Sequence, residues 1–228
     1  MRNLAAKCGL ISPATDIKAM GTYINKGNNA FRDIVSHEYV DKTSLIPLVN
    51  ATLNSECRYS CVTRCRRFGK SMAAKMLCAY YDKSCDSREL FHGLKTEQDK
   101  SFETYLNKYY VICVDMTDFT TRFRNEKEIV KIMQQEIIDD VLKVFPDIEV
   151  KERDDLMSIL YSICERTDER FLMIIDEWDA ILREMGSDDY ISTSYVDLLR
   201  RLFKGLGSDF VFAGAYLTGI LPIKKYNT

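Results

Sequence analysis

Long apolar runs are missing from this 228-residue sequence, and no stretch approaches the ~20 apolar residues that cross a bilayer. Residues 1–19 also lack the apolar core of a secretory signal, because their longest apolar-to-small stretch covers only residues 8–11. We therefore expect a cytoplasmic protein that is not embedded in a membrane. Residues 1–19 are expected to form a disordered extension, and residues 20–228 one domain.

An excess of basic charge is missing as well. The formal net charge is −2 at neutral pH, so nothing in the composition draws the chain to nucleic acid, and no nucleic-acid partner is indicated. The two histidines, His37 and His92, have no cysteine or histidine at the spacing of metal ligands. Neither supports a metal site or a catalytic triad.

The C-x₂-C pairs typical of zinc sites are absent, although the chain has eight cysteines. Cys57, Cys61 and Cys65 recur every four residues, which leaves metal ligation as one interpretation. The default interpretation is a set of free thiols buried like small apolar side chains in a reducing compartment.

What the sequence does contain is a Gly-Lys-Ser triplet between an apolar stretch and an amphipathic one. Residues 59–62 are typical of a short strand, and apolar residues recur at helical spacing after the triplet. The first N–H groups of a helix have no intrahelical partner, and together with the helix dipole they bind phosphate oxygens. The pattern predicts a phosphate-binding loop in which Lys70 contacts the β and γ phosphates and Ser71 ligates Mg²⁺. In the alternative, the triplet only starts a helix, since Arg64 stands where glycine usually opens such a loop.

A second pattern is a continuous apolar stretch that ends in a pair of acidic residues. Residues 171–175 are all apolar, as in a strand buried on both faces, and they lead directly into Asp176 and Glu177. This is the Walker B pattern, in which Asp176 holds Mg²⁺ through its water shell and Glu177 acts as general base towards water. The alternative is a buried strand ended by a solvated acidic turn. Asp115 and Asp118 follow another predicted strand and either line the same cleft or are ordinary surface carboxylates.

Strands and helices alternate along the chain. This alternation predicts an α/β fold with a mostly parallel sheet flanked by helices. Strands are expected near residues 59–63, 109–114, 171–175 and 210–214. Helices are expected around residues 31–35, 45–53, 72–80, 129–142, 156–163 and 195–203.

Residues 64–71 resemble the loop of the bacterial AAA-ATPase-like proteins, which typically reads R-P-R-R-F-G-K-S. The chain matches at seven of these eight positions and has Cys65 in place of the proline. Because proline presets one backbone angle and cysteine does not, we expect a less rigid loop. The similarity extends through residues 39–43, 174–180, 198–200 and 218–226, and so covers about residues 20–228.

The resemblance implies a P-loop nucleoside triphosphatase of the additional-strand type, with ATP and Mg²⁺ as ligands. It implies a sensor of the γ phosphate at Thr218 or Tyr216, expected just past the last strand. Arg200 or Arg201 is a candidate for an arginine finger towards a neighbouring subunit, and the alternative for both is a solvated helix face or a salt bridge. The nucleotide-binding residues that it implies are Arg66, Arg67, Phe68, Gly69, Lys70, Ser71 and Met72, and residues 39–43 are expected to contact the adenine or to pack beneath it.

Members of this family continue into a further strand, a helical lid and often a restriction-endonuclease-like domain. The sequence stops soon after the sensor segment, so we expect a truncated domain with Ile220, Leu221 and Ile223 incompletely covered and with turnover near background. The expected partners are ATP and either a second copy of the chain or the missing C-terminal region.

Three function classes follow from these observations. A slowly hydrolysing ATPase domain is favoured by the acidic pair at Asp176 and Glu177, because kinases that transfer phosphate seldom need it. A small-molecule kinase would need an acceptor site and a basic lid, and neither is recognisable. A non-hydrolysing interaction module is the main alternative.

Overall fold

The computed structural model describes residues 21–148 and 155–221. The expected extension over residues 1–19 and the part of the family resemblance beyond residue 221 lie outside these ranges. Within them, no helix combines the length and the apolar character needed to cross a bilayer.

A four-stranded, all-parallel sheet forms the centre of the structure. Its strand order is β1-β4-β3-β2, so β4 separates the strand before the phosphate loop from the Walker B strand. This is the additional-strand arrangement that the sequence predicts. All residues of β3 are buried, as expected from its apolar run. The strands are β1 (Tyr59–Thr63), β2 (Tyr110–Asp115), β3 (Phe171–Asp176) and β4 (Phe212–Gly219).

Helices cover both faces of the sheet and make two apolar cores. Alternate strand residues face each core, because successive side chains of a strand point to opposite sides. The first face is covered by α1 (Asn29–Val35), α2 (Leu45–Asn50), α3 (Lys70–Tyr81), two 3₁₀ helices (Arg88–Phe91 and Lys95–Gln98) and α4 (Phe102–Tyr105). The second is covered by α5 (Met116–Arg122), α6 (Ile129–Val144), α7 (Leu156–Thr167), α8 (Ala180–Glu184), α9 (Asp189–Lys204) and α10 (Ser208–Val211).

The segment before α1 runs along the free edge of β2. Ile24 forms an antiparallel bridge with Ile112. The buried Asp140 of α6 accepts hydrogen bonds from the backbone N–H groups of Tyr23 at 2.8 Å and Ile24 at 3.1 Å. One carboxylate thus satisfies two backbone donors that lie outside the sheet ladder.

The predicted start of the last strand is wrong. Gly207 has φ of +86° and begins the one-turn helix α10, in which the N–H groups of Phe210 and Val211 both donate to the Gly207 carbonyl. The strand therefore begins at Phe212 and continues to Gly219. Its greater length places Tyr216 and Thr218 inside the strand, whereas the sequence interpretation put them just past its end.

The expectation of buried thiols fails for the cysteines near β1. Cys57, Cys61 and Cys65 are all exposed, whereas Cys78 and Cys113 are buried. Among the described strands β1 pairs only with β4, so it forms an edge of the sheet that is covered less completely than its centre. At the carboxyl side of β4, Ile220 is half-buried and Leu221 is 42% exposed, while Ile223 lies outside the described residues.

Candidate nucleotide site

The loop between β1 and α3 makes its turn without an opening glycine. The Arg64 N–H donates to the Gly219 carbonyl at 3.1 Å, so position 64 still extends the ladder between β1 and β4 and needs no glycine. The left-handed conformations occur later, at Arg67 with φ of +67° and at Gly69 with φ of +75°. Glycine is favoured at position 69 by this φ, whereas the nearest atoms to a Cβ there belong to the flexible Lys42 side chain, which can move aside.

Lys42 is a second cation at this loop, and the sequence interpretation missed it. Its Nζ donates to the Phe68 carbonyl at 2.7 Å. The turn that presents Lys42 is held by Asp41, whose carboxylate accepts from the Thr43 N–H at 2.8 Å and the Lys95 N–H at 3.0 Å. Burial alone would raise the pKa of Asp41, but the hydrogen bond from the Thr43 hydroxyl at 2.6 Å and the two backbone hydrogen bonds outweigh it and lower the pKa. Residues 39–43 therefore brace the loop, and their expected contact with adenine stays a prediction.

Lys70 and Glu177 form a direct ion pair across the site. The Lys70 Nζ lies 3.0 Å from the Glu177 Oε1, and the two side chains are 5% and 17% exposed. Lys70 also donates to the Cys65 carbonyl at 3.4 Å. Glu177 has φ of +51°, an uncommon backbone conformation that turns the chain sharply after β3. The loop lysine and the proposed base, over a hundred positions apart in the sequence, are thus in contact.

Asp176 and Thr218 meet at the carboxyl ends of neighbouring strands. The Thr218 hydroxyl donates to the Asp176 carboxylate and accepts from the Glu177 N–H at 3.3 Å. Asp115 lies opposite Asp176 in the register of β2 and β3. Although the Asp115 side chain reaches solvent, the protein atoms around its carboxyl partly desolvate it, and this effect, followed by the charge of Asp176, raises the pKa of Asp115.

Asp179 and Arg183 complete the cluster and were also missed as site residues. Arg183 Nη1 lies 2.9 Å from Asp179 Oδ2, and Arg183 Nη2 lies 3.4 Å from Glu177 Oε2. Asp179 is fully buried and accepts from the backbone N–H groups of Ile220 at 3.2 Å and Leu221 at 2.8 Å. The four-residue spacing of Asp179 and Arg183 could have predicted their ion pair at the start of a helix.

The remaining loop residues are mostly solvent-facing. Phe68 is 64% exposed, and Arg66 and Arg67 are exposed without an ion pair to any residue that the structure describes. Ser71 is exposed in the first turn of α3, and Met72 beside it is half-buried. Their assignment as nucleotide-binding residues stays a prediction.

The candidate arginine fingers and the candidate carboxylate Asp118 form ion pairs with other residues. Arg200 pairs with Asp197 at 3.0 Å, and Arg201 pairs with Asp155. These contacts within the chain fit a solvated helix face, so neither arginine gains support as an arginine finger. Asp118 pairs with Arg122 on its own helix at 2.9 Å, as expected of an ordinary surface carboxylate.

The residues present fit a nucleotide with Mg²⁺. Among the residues that the structure describes, no side chain caps the start of α3, so its first N–H groups can donate to phosphate oxygens. Asp176 is 6% exposed and lies next to a second carboxylate, Asp115, a grouping that a divalent cation stabilises. Mg²⁺ usually takes only one or two protein ligands and completes its shell with phosphates and water. The assignment of Ser71 and Asp176 to Mg²⁺ stays a prediction.

Comparison with known proteins agrees with this geometry. A family model described as predicted AAA-ATPase matches residues 26–227. Comparisons with curated proteins and with solved structures gave no match. The match covers the loop after β1 together with β3 and β4, whose carboxyl ends lie at the same edge of the sheet as the loop. The chain belongs to the family of predicted AAA-ATPases, which supports a general ATPase-like role.

Proposed function

We propose that this protein binds ATP together with Mg²⁺ and hydrolyses it slowly. The observation that carries the proposal is the 3.0 Å contact between the Lys70 ammonium and the Glu177 carboxylate at the carboxyl edge of a parallel sheet. Ligands of open α/β sheets bind at that edge. A cation suited to phosphate and a carboxylate suited to activate water therefore share one site.

Binding rests on the start of α3 and on three side chains. The N–H groups of the first helical turn hold phosphate oxygens, and Lys70 contacts the β and γ phosphates. Ser71 and Asp176 would hold Mg²⁺, which would neutralise negative charge on the triphosphate when bound. The Thr218 hydroxyl fixes the Asp176 carboxylate from the neighbouring strand.

In the hydrolysis step, Glu177 is the proposed general base. Its carboxylate accepts a proton from water as the water oxygen forms a bond to the γ phosphorus. The bond between that phosphorus and the β–γ bridging oxygen breaks, and ADP leaves with the electron pair. The products are ADP and inorganic phosphate, so no other reactant is needed.

The ion pair has a direct consequence for this cycle. Lys70 contacts Glu177 in the structure, and both side chains are largely buried. The phosphates of ATP compete for the Lys70 ammonium, and their binding withdraws it from Glu177. The carboxylate then becomes available to water only once the nucleotide has engaged the loop.

Nucleotide titration tests the binding part of the proposal. A fluorescent ATP analogue is titrated into the wild type, Lys70→Ala and the matched control Lys75→Ala, which removes an exposed lysine from the same helix. Loss of a charged hydrogen bond of about 1.5–3 kcal/mol predicts a ~10–150-fold weaker affinity for Lys70→Ala only. Equal affinity in all three proteins would contradict the phosphate-loop assignment.

A second titration compares Mg²⁺ with EDTA. In the wild type, removal of Mg²⁺ should weaken binding. In Ser71→Ala, the difference between the two conditions should shrink, because the hydroxyl ligand is gone. A variant whose affinity falls equally in both conditions argues against Ser71 as a ligand.

A turnover assay distinguishes hydrolysis of ATP from binding of ATP. Glu177→Gln keeps the shape of the side chain but cannot accept a proton, so ATP affinity should persist while turnover falls ~10²–10⁴-fold. Glu165→Gln, on the exposed face of α7, is the control. Normal turnover in Glu177→Gln removes the base assignment. Binding without turnover in the wild type favours the non-hydrolysing interaction module.

A further inference from the structure

Arg183 lies among three carboxylates, and its Nη2 also donates to the exposed Glu184 of its own helix at 3.4 Å. Its Nη2 lies 3.4 Å from the Glu177 Oε2, and its Nη1 lies 2.9 Å from the Asp179 Oδ2. We propose that Arg183 is a positioning residue that holds and aims the Glu177 carboxylate after the phosphates of ATP have drawn Lys70 away. This inference rests on the proposed role of Glu177 as the base.

Asp179 fixes the position of Arg183. It is fully buried, and its Oδ2 accepts from the N–H groups of Ile220 and Leu221, just beyond β4. The carboxylate therefore cannot follow the guanidinium outward to solvent. Arg183 lies four residues further on, one turn along α8, and its side chain is 21% exposed. A buried anchor thus holds the cation within reach of Glu177.

The Arg183 guanidinium has donor groups that make no hydrogen bond within the described part of the chain. Its Nε and Nη1 are buried without a hydrogen-bond partner in the described part of the chain, and the same holds for the Asp179 Oδ1. Arg183 is therefore held by charge more than by aligned hydrogen bonds. A small rotation can strengthen its contact with Glu177 while the pairing with Asp179 persists, because the planar guanidinium has donors on several sides.

Glu177 needs such a partner once Lys70 leaves. Its side chain is 17% exposed, and its ion-pair partners among the described residues are Lys70 and Arg183. A carboxylate that is largely removed from water and loses its counter-charge is destabilised and free to change rotamer. With Arg183 in place, one cation remains, and the carboxylate keeps a defined direction towards the attacking water.

The competing role for Arg183 is direct contact with the γ phosphate. A phosphate ligand would contribute to ATP affinity, whereas a positioning residue that acts through Glu177 contributes to the rate and depends on Glu177. Measuring affinity and rate separately distinguishes the two roles. A double substitution shows whether the effect passes through Glu177.

The experiment uses Arg183→Met, Arg183→Lys and the control Arg166→Met, which removes an arginine of α7 that pairs with no described residue. Affinity for ATP is measured by titration and hydrolysis by single-turnover assay with excess protein. For Arg183→Met we expect an affinity within ~2-fold of wild type and a ~10-fold or greater fall in rate, a smaller loss than the ~10²–10⁴-fold expected when the base itself is removed. Arg183→Lys should restore part of the rate. In the Glu177→Gln background, Arg183→Met should change the residual rate by less than ~2-fold.

Each other result overturns the inference in a recognisable way. A normal rate in Arg183→Met removes the positioning role and leaves the ATPase proposal intact. An affinity loss as large as that of Lys70→Ala, or a further rate loss in the Glu177→Gln background, makes Arg183 a phosphate ligand. A wild type that binds no ATP refutes the proposed function, and this inference with it. A wild type that binds without turnover refutes the base assignment and its positioning residue. Should Arg183→Met fail to melt cooperatively, Arg183→Gln takes its place in the same comparisons.

Discussion

Replacing Thr218 by valine removes one hydroxyl from the centre of the site and keeps the side-chain volume. Thr218 is fully buried in β4. Its hydroxyl donates to the Asp176 carboxylate and accepts from the Glu177 N–H at 3.3 Å. In Thr218→Val the carboxylate loses a charged hydrogen bond and the N–H loses its acceptor, while the apolar contacts of the side chain are retained.

The size of the effect follows from these two losses. A hydrogen bond to a charged group contributes about 1.5–3 kcal/mol, and the longer backbone contact contributes about 0.5–1 kcal/mol. We therefore expect Thr218→Val to lower the free energy of unfolding by about 2–4 kcal/mol. For a domain of this size each kcal/mol shifts the melting temperature by about 2–4 °C. The expected fall in melting temperature is roughly 5–15 °C.

Calorimetric melting at neutral pH, without added nucleotide, measures this effect. Thr218→Ser is the matched control, because it keeps the hydroxyl and removes one buried methyl group, at a cost of about 1 kcal/mol. The valine variant should melt below the serine variant. A valine variant that melts within ~2 °C of wild type, or above the serine variant, would show that the hydroxyl does not stabilise the carboxylate as described.

Three further changes test the surroundings of the site. Gly69→Ala should lower the free energy of unfolding by about 1–2 kcal/mol in urea titrations, because alanine is strained at φ of +75°; an unchanged midpoint contradicts this backbone shape. Lys42→Met removes the exposed donor to the Phe68 carbonyl, and its melting temperature should stay within ~2 °C of wild type. Its ATP affinity should fall ~3–10-fold, because the loop is less ordered before binding. An unchanged affinity would contradict the bracing role of Lys42. Asp140→Ala leaves two N–H groups, those of Tyr23 and Ile24, without their acceptor and should cost about 2–4 kcal/mol by denaturant titration. A cost below ~1 kcal/mol would mean that the segment before α1 does not depend on Asp140.

The sheet was predictable because its strands carry strong local signals. Residues 171–175 are continuously apolar, and such a run at that length fits a central strand of a parallel sheet. The family resemblance implied an intervening strand between the loop strand and the strand of the acidic pair, and the strand order identifies that strand as β4. The start of β4 was not predictable in the same way. Phe210 and Val211 are as apolar as the strand itself, and only the left-handed conformation of Gly207 makes them helical.

The site was predictable in its parts but not in its contacts. Lys70, Asp176 and Glu177 each stand out by motif, because phosphate and Mg²⁺ chemistry needs those residue types after a strand. The ion pair between Lys70 and Glu177 depends on how the loop and β3 meet, which no local pattern encodes. Lys42 and Arg183 carry no motif of their own, since isolated basic residues are usually solvated, and only the fold places them at the loop and the base.

The carboxyl end of β4 connects the two halves of the site. The Gly219 carbonyl accepts from the Arg64 N–H at the entrance to the loop, and the Thr218 carbonyl accepts from the Trp178 N–H just after the acidic pair at 2.8 Å. A Cβ at Gly219 would lie 2.6 Å from the Trp178 Nε1, so only glycine allows this close approach. Because the intervening strand touches both the loop and the turn that carries Glu177, we expect that a displacement of the loop on phosphate binding would reach Glu177 by two routes. One is the exchange of the Lys70 contact, and the other is the backbone ladder through Gly219 and Thr218.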